Sequence, residues 1–370
     1  MKPLIKYTGG KYKEYSQIKH YFPSIINNYY EPFFGGGGVF FRLKEDNKIK
    51  GESLLSDISD DLIDFYNSIG NFEFEKEIKK IENAWEEIHL IADHFSEKYS
   101  ETFMNVITNH LEIDGFVNEK LKKDISLCVE NTQTLKDFNF HGFSLTDNIY
   151  NCINDKTKRF IKKNISEEDG TISFKSLETA VHQGFYFTIR DMYNDWLKDK
   201  KDYTIYERSA QWYYIREFCF GGMFRFGKDG KFNIPYGGAV YNGKIFGNKT
   251  KMLFTEETKE TINSATFKVC DFEEALNTDF NEDDFIFLDP PYDSTFSEYD
   301  NKSFTKEDHK RLHDLLGKLK CKWLMAIGKT DFISDLYKDY EKIEYDKTYM
   351  YQARGTYDNK NTKHLVIKNF

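Results

Sequence analysis

The chain has 370 residues, 39% of them hydrophobic and 31% charged, enough to bury a core and remain soluble as two domains or one domain with a large insertion. Its five cysteines (Cys128, Cys152, Cys219, Cys270, Cys321) lack C-x-x-C spacing, so no zinc site is expected and free thiols in a reducing compartment are. No stretch approaches a membrane span and "MKPLIKYTGGKYKEYS" lacks the apolar run of a signal peptide, so a cytoplasmic protein without a membrane partner is expected. The net charge of −9 argues against a nucleic-acid partner, but a sum conceals local patches.

In chain order, "IINNYYEPFF" (25–34) reads as a strand, "VFFRLKEDN" (39–47) as a helix, "ESLLSD" (52–57) as a second strand and "SDDLIDFYNSI" (59–69) as the start of a helix. Helical periodicity follows over 74–95 and 100–125. Residues 210–250 change character, with aromatics and glycines alternating; "GKDGK" (227–231) between two alternating runs predicts a hairpin turn. From Gly222 to Lys251 the chain carries Arg225, Lys228, Lys231, Lys244, Lys249 and Lys251 against Asp229 alone. Strands are expected again at "TFKVCDF" (266–272), "DFIFLDPPY" (284–292), "WLMAIGK" (323–329) and "KHLVIKNF" (363–370), with an amphipathic helix in "KEDHKRLHDLLGKL" (306–319). An α/β pattern therefore starts, is interrupted and resumes. Neither end alone has enough strands for a sheet, so one doubly wound sheet with an insertion is expected.

Three stretches carry possible chemistry. "EPFFGGGG" (31–38) is a glycine-rich turn between a strand and a helix, and Asp57 ends the next strand twenty residues after Gly37. An acid at that distance suits the ribose of an adenosine-containing cofactor, although Phe40 stands where a dinucleotide fingerprint has its third glycine. The bland alternative is a glycine turn beside a surface Asp. "KYTGGK" (6–11) reads as a phosphate loop or a flexible turn; it is not a Walker A string. "DPPY" (289–292) ends an apolar strand. An adenine amino group is a poor nucleophile because its lone pair is delocalised into the ring. A carboxylate oxygen of Asp289 and the carbonyl of Pro290 can accept its two protons and free that pair. Proline fixes φ and has no N–H to compete, and Tyr292 can stack on a flat base. The alternative is a Pro-Pro turn with a capping Asp. His309 and His313, four apart, lack the Glu of H-E-x-x-H and read as a solvated helix face rather than a metal pair. "FYF" (185–187) and "WYY" (212–214) read mostly as core.

Taken in order, "KYTGGK", "EPFFGGGG", "LLSD", "MFRFGKDGKFNIPYGG", "DPPY" and "KSFTKEDHKRLHDLL" resemble the motifs of the Dam-type, α-class D12 DNA adenine-N6 methyltransferases. Residues of about 75–185 match no motif of that family. The resemblance implies a Rossmann-like methyltransferase sheet that uses S-adenosyl-L-methionine (AdoMet), formed by 1–70 and 265–370. It implies a mainly helical target-recognition insertion over 71–264, with a β-hairpin at about 222–240. It further implies that Tyr7 and Lys11 border the methionine part of AdoMet, and that Glu31, Pro32, Phe33, Gly35 and Gly37 line the cofactor turn. Asp57 would bind the ribose, Asp271 and Phe272 the adenine of AdoMet, and Asp289, Pro290, Pro291 and Tyr292 the extruded target adenine. Arg225, Lys228, Lys231, Asn233 and Tyr236 would meet double-stranded DNA, Arg225 at a guanine edge or a phosphate. The resemblance leaves two roles open, standalone modification and partnership with a cognate restriction endonuclease, and implies no metal. The competing expectations are a cytosine-N4 or RNA adenine methyltransferase, and a non-catalytic DNA-binding relic. Cytosine-N4 enzymes usually show Ser at the first position of the tetrapeptide, so Asp289 favours adenine.

Overall fold

The structure is a computed structural model that describes residues 1–370 apart from 8, 110–111, 164–169, 199–202, 239–240, 242–243, 293–297, 300–301 and 349–360. The chain forms two compact units, one from Met1–Ile69 with Thr255–Phe370 and the other from Gly70–Phe254.

The first unit is an α/β layer structure. The strands of its main sheet are β1 (Tyr29–Glu31), β2 (Ser53–Asp57), β3 (Thr266–Val269), β4 (Phe285–Leu288), β5 (Lys322–Gly328), β6 (Glu341–Thr348) and β7 (Asn361–Lys368). They form one seven-stranded sheet in the order β3-β2-β1-β4-β5-β7-β6. The first five are mutually parallel, and β7 runs antiparallel to both β5 and β6. Central parallel strands covered on both faces read as continuous apolar runs, and all four residues of β4 are buried accordingly. Phe34, Phe40, Tyr66 and Phe267 fill one region of the core, with Tyr66 and Phe267 stacked at 5.2 Å and 3°. Trp323, Tyr337, Leu312 and Leu316 fill another. Each such side chain contributes about 1.5–3 kcal/mol on burial. The helix Lys306–Leu316 starts where Thr305 and Asp308 form a reciprocal capping box.

Two expectations are corrected in this unit. The first strand is much shorter than 25–34, because only Ile26 pairs ahead of it, in an isolated bridge to Ile49. His309 is fully buried, edge-on to Phe304 at 4.7 Å, and is no solvated face; the helix turns His309 with Leu312 and Leu316 into the core.

The second unit is helical: α1 (Phe72–Thr108), α2 (Glu119–Asn131), α3 (Leu145–Lys162), α4 (Gly170–Trp196) and α5 (Ile205–Phe218). The expected helix over 100–125 is split, since a 3₁₀ turn at Ile113–Gly115 precedes α2 and Asn118 caps α2 through the Leu121 amide. Trp85 is the centre of the core, 4.5 Å from Phe218 and 5.5 Å from Tyr214 by ring centroids. Trp212, Tyr213, Tyr214, Phe185 and Tyr186 are all buried, so both aromatic strings are mostly core. α3 and α4 approach closely at Gly184, where an added Cβ would lie 2.6 Å from the Ile149 Cα. The hairpin closes at Gly227, whose amide donates to Lys231 at 2.7 Å, and Phe226 pairs with Phe232.

Candidate active site

Strand order reverses between β1 and β4, and open α/β sheets bind ligands at the carboxyl ends of strands beside such a reversal. β1 ends in Glu31, followed by Pro32, Phe33 and the glycine turn; β4 ends at Leu288, followed by Asp289, Pro290, Pro291 and Tyr292.

The glycine turn is dictated by geometry at two levels. Gly35 and Gly37 take positive φ, 50° and 67°. A Cβ at Gly37 would lie 2.5 Å from the buried Phe34 ring, and one at Gly36 would lie 2.7 Å from the Tyr7 Cβ. Tyr7 thus packs directly on the turn, while Thr8 of the same motif lies outside the described residues. Asp57, at the end of β2, accepts the Gly35 amide at 2.9 Å and the Ser59 amide at 3.0 Å, tying the turn to the second strand. Glu31 is 2% exposed and accepts the Tyr29 hydroxyl at 2.8 Å. Burial pushes its carboxyl well above the ordinary range, with the charges of Asp289 and Asp57 adding to the push. A turn packed tightly by Tyr7 and Phe34, with the carboxylates of Glu31 and Asp57 at the ends of β1 and β2 beside it, suits a ligand that carries positive charge. AdoMet, with its sulfonium and ammonium groups, fits.

Lys11, expected to border the cofactor, reaches the residues that follow β4. Its ammonium lies 2.5 Å from Asp289 Oδ1 and donates to the Tyr292 hydroxyl at 2.8 Å. Lys11 is 2% exposed. Burial alone would favour its neutral form, but Asp289 and Glu14 outweigh it and hold the ammonium above its ordinary pKa. Burial pushes the Asp289 carboxyl up, and Lys11 draws it back down. The ring of Tyr292 is held on three sides. A Cβ added at Gly328 would lie 3.6–3.9 Å from three of its ring atoms. His364 meets it edge-on at 5.2 Å, and Lys347 Nζ donates to its hydroxyl at 3.2 Å. Lys347 also pairs with Glu14 at 2.7 Å, and Glu14 accepts the Tyr345 hydroxyl at 3.0 Å. His364 is pushed down to about 3 by burial and by the charges of Lys347 and Lys11, so it is neutral.

Asp271 caps the helix Phe272–Leu276 through the Glu273 amide and pairs with Arg311 at 3.1 Å. Phe272 is 4% exposed, stacked on Phe33 at 5.6 Å and 27°. In the second unit, Arg225 Nε and Nη2 both lie 3.3 Å from Asn233 Oδ1. Arg225, Lys228 and Asn233 are exposed and Lys231 is half-buried. Tyr236 corrects the expectation of a DNA contact. It is 7% exposed and its ring packs with Tyr186, Phe218 and Trp85, because inward and outward residues alternate along the hairpin. Among the described residues no cluster of His, Cys, Asp and Glu could hold a metal ion, and no helix is long and apolar enough to cross a membrane.

A family model described as D12 class N6 adenine-specific DNA methyltransferase matches residues 7–146 and 131–351. The chain belongs to that family. This D12 methyltransferase is similar to the Type II methyltransferase M.CviBI of Paramecium bursaria Chlorella virus NC1A, 27% identical over 375 residues that span all of both chains. It is similar to the Type II methyltransferase M.MjaIII of Methanocaldococcus jannaschii, 23% identical over 384 residues covering 100% of this chain and 99% of the relative. It also resembles the DNA adenine methylase of Haemophilus influenzae, 21% identical over 319 residues covering 85% and 73% of the two chains. The D12 site holds four side chains that motif reading missed: Glu14, Tyr345, Lys347 and His364. Of these only Glu14 left a usable signal, three residues after Lys11 at the start of a helix.

Proposed function

We propose that this D12 methyltransferase modifies the N6 amino group of an adenine at a specific site in duplex DNA, with the target base extruded from the stack. The observation that carries this reading is the ion pair of Asp289 with Lys11 beside Tyr292, at the carboxyl end of β4 and next to the glycine turn. Tyr7, Glu31, Pro32, Phe33, Gly35, Gly37 and Asp57 hold AdoMet, whose bound form supplies an electrophilic methyl group. Asp289 and the Pro290 carbonyl accept the two N6 protons, which localises the nitrogen lone pair. Asp289 is then the acceptor placed to take the proton that the alkylated amine sheds. Lys11 keeps Asp289 ionised until the amine arrives. Tyr292 offers its ring to the extruded base, whose removal from the duplex costs a few kcal/mol.

The helical unit is the target-recognition insertion, and its hairpin meets DNA through Arg225, Lys228, Lys231 and Asn233. The names of the similar Type II enzymes favour a restriction-modification role, with a cognate endonuclease as partner.

The test is incubation of the protein with genomic duplex DNA and labelled AdoMet, followed by nucleoside analysis. N6-methyladenine is expected; N4-methylcytosine, or label in RNA alone, would overturn the assignment. Asp289→Ala should lower transfer at least about a thousandfold while DNA affinity changes little, since the lost contact acts on the reacting amine.

A further inference from the structure

Two ammonium groups converge on the Tyr292 hydroxyl, from Lys11 at 2.8 Å and Lys347 at 3.2 Å. Lys11 also grips Asp289, and Lys347 also grips Glu14. Glu14 is 6% exposed and Lys347 8%. Lys11, Asp289, Glu14 and Lys347 thus form one set of two cations and two anions. A buried ion pair rarely improves on apolar packing, while breaking one is strongly destabilising, so a second pair beside the first calls for a reason. Lys11 alone already pairs directly with Asp289.

The reason lies in what Lys11 must do. Its ammonium sits against the carboxylate oxygen that an incoming adenine amino group needs. When that amine binds, Lys11 has to share or surrender Asp289, and it is then a poor support for the ring. Lys347 has no such conflict. It stands on β6, the edge strand of the sheet, paired with β7, and its ion pair is with Glu14 rather than Asp289. Glu14 is itself held by the Tyr345 hydroxyl from the same strand.

We propose that Lys347 is a positioning residue for methyl transfer. Anchored on Glu14, it holds the Tyr292 hydroxyl, and with it the plane of the stacking ring, while Lys11 yields Asp289 to the target amine. This rests on the reading of Asp289 and Tyr292 given above.

A double-mutant cycle on the full chain tests it, with transfer to duplex DNA measured under steady-state conditions. Lys347→Met is expected to lower kcat about tenfold or more and to leave the KM for AdoMet within about twofold, since misplacement of the stacking ring costs rate rather than cofactor affinity. In a Tyr292→Phe background, which lacks the hydroxyl, Lys347→Met should add no further loss. Lys347→Arg, which can keep both contacts, should recover most of kcat. Because Lys347→Met strands Glu14 as a buried charge, the Glu14→Gln/Lys347→Met protein is run beside it and should show the same kcat loss with a native melting profile. Additive losses in the cycle, or a loss confined to the KM for AdoMet, would overturn the proposal. Tyr292→Ala reports on the underlying reading separately. Full activity in that variant removes the stacking role itself, whereas a large loss there combined with additivity in the cycle removes only the part given to Lys347.

Discussion

Glu31 ends β1 in a place where an ionised carboxylate is poorly solvated. It is 2% exposed, its hydrogen-bond partner is a neutral phenol, and the neighbouring charges of Asp57 and Asp289 are of its own sign. Burial therefore raises its pKa well above the ordinary 4.5. An acid with a raised folded-state pKa stabilises the fold fully below its unfolded value, and that contribution disappears as pH rises through the folded value. The folded protein holds a proton there that the unfolded chain has released. Glu31→Gln keeps the shape and has no proton to lose. It should raise the melting temperature of the free protein at pH 8 and change it little at pH 4, flattening the loss of stability between. The same substitution should weaken AdoMet binding, because the ligand's positive charge is what would make the ionised acid favourable. Thermal melts across pH, with and without AdoMet, check both halves. An unchanged pH profile would show that Glu31 is already ionised in the free protein.

Two side chains of α4 hold the hairpin of the helical unit. Asn194 on α4 accepts the Phe232 amide at 2.8 Å and donates to the Phe232 carbonyl at 3.0 Å, and Tyr186 donates to the Ile234 carbonyl at 2.9 Å. With Phe232 and Ile234 fixed inward, Asn233 and Arg225 face outward. Asn194→Ala strands a buried amide and a buried carbonyl, at about 1–3 kcal/mol each. Its expected signature is faster hydrogen exchange at the hairpin amides and weaker DNA binding, with AdoMet affinity unchanged. The hairpin itself was legible in the sequence, because "GKDGK" between aromatic alternation has a turn mechanism. The strands of the parallel sheet were legible for a related reason: apolar runs such as "FIFL" stop at proline or glycine. β6 was not. Its sequence, "EKIEYDKT", carries charge on both faces, and a lysine on a strand reads as outward by default. Lys347 is the one of its two lysines that turns into the site, where Glu14 and Tyr292 receive it. A motif scan locates groups that lie together along the chain. Lys347 and His364 are brought together by sheet register, Tyr345 lying opposite His364 across β6 and β7, and Glu14 meets them from the start of the helix Tyr15–Ile18. Lys11 shows the same limit, since "KYTGGK" places it near the cofactor turn but does not show that its ammonium reaches Asp289.

At the scale of the whole molecule, the charge distribution bears on the DNA contact proposed for the hairpin. The protein carries −9 overall, yet residues 222–251 hold six cations against one anion. A duplex is thus repelled by the net charge and attracted by one segment, which favours binding in a single orientation and makes it sensitive to salt. Within that segment the residues are not equivalent. Lys228, exposed beside the turn, is a flexible point charge suited to phosphate. Arg225 is a planar fork already oriented by Asn233 Oδ1, which suits it to a guanine edge. Lys228→Ala should weaken binding to the methylated sequence and to a scrambled duplex alike, and reduce the slope of log K against log salt by about 0.9. Arg225→Ala should cost about 1–3 kcal/mol on the methylated sequence and much less on the scrambled one, leaving the slope nearly unchanged. Equal losses on both duplexes, together with a reduced slope, would move Arg225 to a phosphate. Asn233→Ala separates orientation from charge. It leaves the guanidinium in place and frees it to turn, so it should erode discrimination between the two duplexes while the salt slope stays that of the unaltered protein.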